Sequence, residues 1–115
     1  NGISRRTLIE RGEAVENVCA RLVDLAQTHR LLASAPSWDG HWLSMLLRAA
    51  GRPRHLIRLE DTEVAFIEAA NARSGDATTL IAAARAKAEA QPPAHRALAD
   101  ARREWSIWRT IVEGR

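Results

Sequence analysis

Four histidines, one cysteine and fourteen acids are the chain's stock of metal ligands and acid–base groups. His29, His41, His55 and His95 stand far apart in sequence. No H-x3-H or E-x-x-H pair sets two ligands on one helix face. Cys19 and His29 are almost three helical turns apart, too far to share an ion. No metal site and no cofactor is expected. Asp39 with His41, and Glu60 with Glu63, have the residue types for proton transfer. No phosphate loop, nucleophile elbow or recognisable nucleophile accompanies them. The acids at 60–63 read as the start of a helix, so no enzyme is expected.

The stretch RAAGRPRHLIR, residues 48–58, carries a different chemistry. Arg48, Arg52, Arg54 and Arg58 cluster there with His55 and without an acid. Arginine makes forked contacts to phosphate and carboxylate. The four residues Gly51 to Arg54, GRPR, resemble the minor-groove arms of some DNA invertases and the core of AT-hooks. That resemblance implies arginines entering a narrow groove of DNA. A helix-turn-helix register fits Leu46, Ala50, Gly51 and Ile57 but sets Arg52 and Glu60 at apolar positions. The preferred reading is a solvated basic face, balanced by Glu60, Asp61, Glu63 and Glu68. The alternative is binding of DNA or RNA through Arg48, Arg52, Arg54 and Arg58, with Arg102 and Arg103 as a second patch.

The elements that must position these groups are helices. The chain has 115 residues, enough for one modest core. Tyrosine is absent, phenylalanine occurs once, and strand formers are scarce, which points to an all-α fold. The net charge is +3, too small to demand nucleic acid. All the basic residues but Lys87 are arginine, a skew that GC-rich bacterial coding produces as readily as function does. Cys19 stands alone, so no intramolecular disulfide forms. No apolar run reaches membrane-spanning length. A cytoplasmic setting with no membrane partner is expected. The chain begins NGIS and is read as one helical domain, 1–115, processed or excised from something longer.

Residues 4–33 read as a first helix capped by Ser4, with Gly12 as a weak point. Leu8, Val15, Leu22 and His29 recur every seven residues beside Val18, Leu25 and Leu32, an a/d-type seam. In SAPSWDGHWLSML, residues 34–46, Ser37 or Asp39 is expected to cap a helix running to Ala50. Trp38, Trp42, Met45, Leu46 and Ala49 share one face of it, and Gly51 and Pro53 close it. Asp61 or Thr62 caps a helix to about Arg73 that shows Val64, Ile67 and Ala70 or Asn71 on one face. Residues 77–90 form an alanine-rich helix capped by Asp76, with Leu80, Ile81, Ala84 and Ala88 as its thin apolar face. A last helix spans 93–113, with Leu98, Ala101, Trp105, Trp108 and Val112 in register and Ile107 and Ile111 widening the face.

The predicted architecture is an antiparallel bundle of four to five helices. Four tryptophans are many for so small a core. Tryptophan is enriched at interface hot spots, and a seven-residue seam often pairs across chains. The expected function is therefore a non-enzymatic interaction or assembly module that associates with itself as a homodimer or with a protein partner. Val18, Leu25, Trp105 and Trp108 are the expected anchors.

Overall fold

The computed structural model describes residues 2–92 and 95–114. It is mostly helical. The helices are α1 (Arg5–Arg11), α2 (Val15–Thr28), α3 (Pro36–Ala49), α4 (Thr62–Asn71), α5 (Ala77–Glu89) and α6 (Ala97–Glu113). Two short strands, β1 (Leu32–Ala33) and β2 (Glu60–Asp61), pair in parallel, Leu32 with Glu60 and Ala33 with Asp61. The chain divides into two compact units, Gly2–Asp61 and the part that begins at Thr62.

In the first unit, the helix expected over 4–33 is two helices. Ser4 caps α1, its side chain accepting from the Thr7 N–H at 3.1 Å. Gly12 ends α1, donating to the Leu8 carbonyl at 2.9 Å in an extended conformation. No residue of α1 is buried. Helix α2 stops at Thr28 rather than 33, because residues 31–33 turn into the pairing with β2, where the Glu60 N–H reaches the Leu31 carbonyl at 2.9 Å. The seam is correspondingly displaced. Cys19 is fully buried with Leu22, Val23 and Ala26 packed near it, whereas Leu8 and Leu25 face outward.

Helix α3 begins two residues earlier than even a Ser37 cap allows. Pro36 occupies its first turn, where its fixed φ suits a helix and its missing N–H costs nothing. Ser37 and Asp39 therefore lie inside the helix, and no side chain caps it. Its far end is closed as the sequence predicts. The Arg52 N–H bonds to the Leu47 carbonyl at 2.8 Å and the Gly51 N–H to Arg48 at 3.0 Å. This Schellman pairing needs a left-handed residue, which Gly51 supplies at φ 73°. The core of this unit is Cys19, Leu47 and Ile57, with Leu22, Val23, Ala26, Leu31, Leu43 and Ala50 around them.

The second unit packs α4, α5 and α6 against one another. Asp76 caps α5, accepting from the Thr79 N–H at 3.1 Å and the Thr79 hydroxyl at 2.8 Å. The core is Phe66, Ala70, Ala84, Ile107 and Ile111. The thin face of α5 meets it as expected, through Leu80, Ile81, Ala84 and Ala88. Burying a phenylalanine or isoleucine completely contributes about 1.5–3 kcal/mol. The faces of the neighbouring helices are rotated from expectation. Val64 and Ile67 are exposed while Ala65, Phe66 and Ala70 turn inward. On α6 the row Ile107 and Ile111 is inside, and Leu98, Trp105 and Val112 are outside. The Arg73 Nη1 donates to the Val112 carbonyl at 2.8 Å, tying the segment after α4 to the last turn of α6. Helix α6 starts at Ala97, not at Pro93, which lies outside the described residues.

Candidate functional site

Helix α3 presents three stripes, each set by the 3.6-residue period. Leu43, Leu47 and Ala50 face the core. Trp38, Trp42 and Met45 face solvent, the two indoles 66% and 54% exposed. Their rings meet edge to face, centroids 6.3 Å apart and planes at 90°. The third stripe is small and polar. Ser37, Gly40, His41 and Ser44, at spacings i, i+3, i+4 and i+7, form one wall of a cleft.

The opposite wall comes from the segment that follows the Schellman turn. Arg54, His55, Ile57, Arg58 and Leu59 line it, and the cleft holds about 340 Å³. Ile57 anchors this wall, because it is buried in the core. Two arginines, two histidines and two serines are among its lining residues, and no carboxylate lines the cleft. The His41 ring also packs against Trp42, with centroids 5.3 Å apart.

A second cleft, of about 460 Å³, belongs to the other unit. Lys87, Asp100, Arg102, Arg103, Ser106 and Thr110 are among its lining residues. The buried Nε of Arg103 has no hydrogen-bond partner among the described residues.

The arginines singled out from sequence thus divide. Arg48, Arg52, Arg54 and Arg58 are all exposed, but only Arg54 and Arg58 reach the first cleft. Residues 50–59 are turns and irregular chain rather than a recognition helix, so the arginines do not form a continuous helical stripe. Arg102 and Arg103 belong to the other unit.

The expected interface anchors divide too. Val18 is half-buried on α2, and Leu25, seven residues on, is 46% exposed. Trp105 is 54% exposed and lies under the Arg109 guanidinium, which sits 5.1 Å from the ring centroid. Trp108 packs against the core formed by Phe66, Ile107 and Ile111.

The sequence marks one wall of the first cleft through Arg54 and Arg58, as candidates for nucleic-acid binding, but not the wall formed by α3. His41 is weighed there only as a metal ligand and beside Asp39, and His55 as a metal ligand and a companion of the arginines. The signal was present in the spacing of Ser37, Gly40, His41 and Ser44, a helical stripe without a large apolar residue. Among the described residues no three or more His, Cys, Asp or Glu side chains lie close enough together to hold a metal ion. No described helix is long and apolar enough to cross a membrane.

No protein-family model matches this chain, and no curated protein or solved structure matches it either.

Proposed function

We propose that the protein is a non-enzymatic helical assembly module that pairs with a second copy of itself. The observation that carries this reading is the outer stripe of α6. Leu98, Trp105 and Val112 recur every seven residues and remain exposed beside a complete core. An apolar row of this period on one helix suits knobs-into-holes packing with a second helix. Leu25 on α2 is a further exposed anchor, with Val18 one heptad before it. Trp108 stiffens the base of the α6 stripe from the core side. The antiparallel packing of four to five helices belongs to the same proposal. The short connections on either side of α5 support it, since they favour antiparallel neighbours. The arginine skew and the single free thiol of Cys19 are in keeping with a bacterial cytoplasm.

Sedimentation velocity from about 1 to 200 µM tests the pairing, the range in which a micromolar dimer dissociates and forms. A shift from monomer to dimer over that range is expected, and Trp105→Ser with Leu98→Ser should hold the protein monomeric. A monomer at every concentration refutes the reading.

A second reading is binding of DNA or RNA. Its support is that Arg48, Arg52, Arg54 and Arg58 are exposed and carry no ion pair among the described residues. Arg102 and Arg103 are its second patch. Anisotropy of labelled duplex and single strands at about 50 and 200 mM salt should then show a steep loss of affinity. Affinity that survives Arg52→Ala with Arg54→Ala removes this reading.

A further inference from the structure

We propose that the cleft between α3 and residues 54–59 binds a small phosphate monoester. The proposal does not rest on self-association, and it asks for a ligand other than a nucleic acid.

The first argument is charge. Five arginines are held by acids: Arg6 by Glu10, Arg21 by Glu13, Arg30 by Glu60, Arg85 by Glu63 and Arg109 by Glu113. Arg54 and Arg58 have no such acid among the described residues, and both line one cleft. A cleft lined by two cations and no carboxylate attracts an anion.

The second argument is donor chemistry. A monoester dianion offers three terminal oxygens, each able to accept more than one hydrogen bond. The cleft supplies planar forked donors from Arg54 and Arg58, ring N–H groups from His41 and His55, and hydroxyls from Ser37 and Ser44. A carboxylate would use fewer of these donors and half of the charge.

The third argument is shape. The cleft volume, about 340 Å³, lies near the lower end of ligand pockets, so it suits a phosphate with a small organic group. A nucleic-acid strand instead needs a row of cations that follows successive phosphates. Arg48 and Arg52 do not line the cleft, which leaves the charge focused at one point.

The test is NMR of the imidazole signals with calorimetry, using inorganic phosphate, phenyl phosphate and a single-stranded oligonucleotide as probes. Phenyl phosphate should shift the His41 and His55 signals together and saturate with a Kd below about 1 mM. Arg54→Ala with Arg58→Ala should weaken binding at least about tenfold, as expected on losing charge-assisted donors. Arg48→Ala with Arg52→Ala should leave it within about twofold, since neither side chain lines the cleft. Ser37→Asp gives an independent check. An acid in the first turn favours the helix, yet it places a negative charge in the cleft, so binding should fall while the fold is kept.

Three results overturn the proposal. One is no saturable shift up to about 10 mM phenyl phosphate, weaker than a millimolar site allows. Another is equal loss from the two double arginine variants. The third is an oligonucleotide that binds more tightly than phenyl phosphate and depends on all four arginines, which is the nucleic-acid outcome.

Discussion

Arg30 holds Glu60 with two prongs, its Nε 3.1 Å from one carboxylate oxygen and its Nη2 2.8 Å from the other. The pair sits where β1 and β2 meet. Hydrogen bonding from Arg30 lowers the Glu60 pKa below its ordinary value. A lowered carboxylate pKa stabilises the fold at neutral pH, and that contribution fades as pH falls below the ordinary value and through the lowered one. Glu60→Gln should therefore lower the urea midpoint at pH 7, by an amount that shrinks as pH falls through the lowered value. Both side chains are largely exposed, so added salt should shrink the effect. An effect that does not change with pH across the acid range would contradict the pairing.

Each unit has its own core, so large-to-small changes should act locally. Leu47→Ala should cost about 2–5 kcal/mol and Phe66→Ala about 3–5 kcal/mol. Amide exchange is expected to rise first in α2 and α3 for the former, and in α4, α5 and α6 for the latter. Uniform acceleration through the whole chain in both variants would argue for a single cooperative core.

Gly12 makes a close approach. A Cβ at this position would run into the Leu8 carbonyl, a backbone atom that cannot step aside. Gly12→Ala should unwind part of α1, read as a small loss of helical signal in far-UV circular dichroism. The melting temperature should hardly move, because α1 buries nothing.

Asp76 caps α5 through both the Thr79 hydroxyl and its N–H, and these bonds lower its pKa. Asp76→Ala should lower the melting temperature by a few degrees at neutral pH. Because the folded pKa is the lowered one, the difference should shrink as pH falls through it. Asp76→Asn should keep most of the cap and lose the pH dependence.

Three of the four tryptophans, Trp38, Trp42 and Trp105, are more than half exposed. Acrylamide should quench most of the emission in dilute solution. If the α6 stripe is buried by pairing, Trp105→Phe should abolish any protection gained on concentrating the protein. Strong protection at the lowest concentration would contradict the exposure of these rings.

The helices were largely legible in the sequence, and their faces were not. Asp76 and Gly51 act through local backbone geometry, so residue type alone marks the helix ends they form. Helix α6 shows why a face is harder. Leu98–Trp105–Val112 and Ile107–Ile111 are both apolar rows, and periodicity finds rows without saying which one meets a core. The same ambiguity hid the outward turn of Trp38 and Trp42. The strand pair escaped for another reason. Leu32 and Glu60 are joined by a contact across the whole of α3, and neither has a strongly strand-forming neighbourhood. The cleft was half legible. Its arginines stood out by charge, whereas His41 and Ser44 acquire meaning only when Ile57 pins the following segment opposite them.

That long-range closure has a consequence for synthesis. Arg30 and Glu60 are 30 residues apart in the chain. On a ribosome that releases the chain from its N-terminus, α2 emerges while Ile57 and β2 are still inside the exit tunnel. Cys19, enclosed in the finished protein, is then a bare thiol on a half-built scaffold. The interval before Ile57 arrives is the time in which that sulfur is open to oxidants and to other nascent chains.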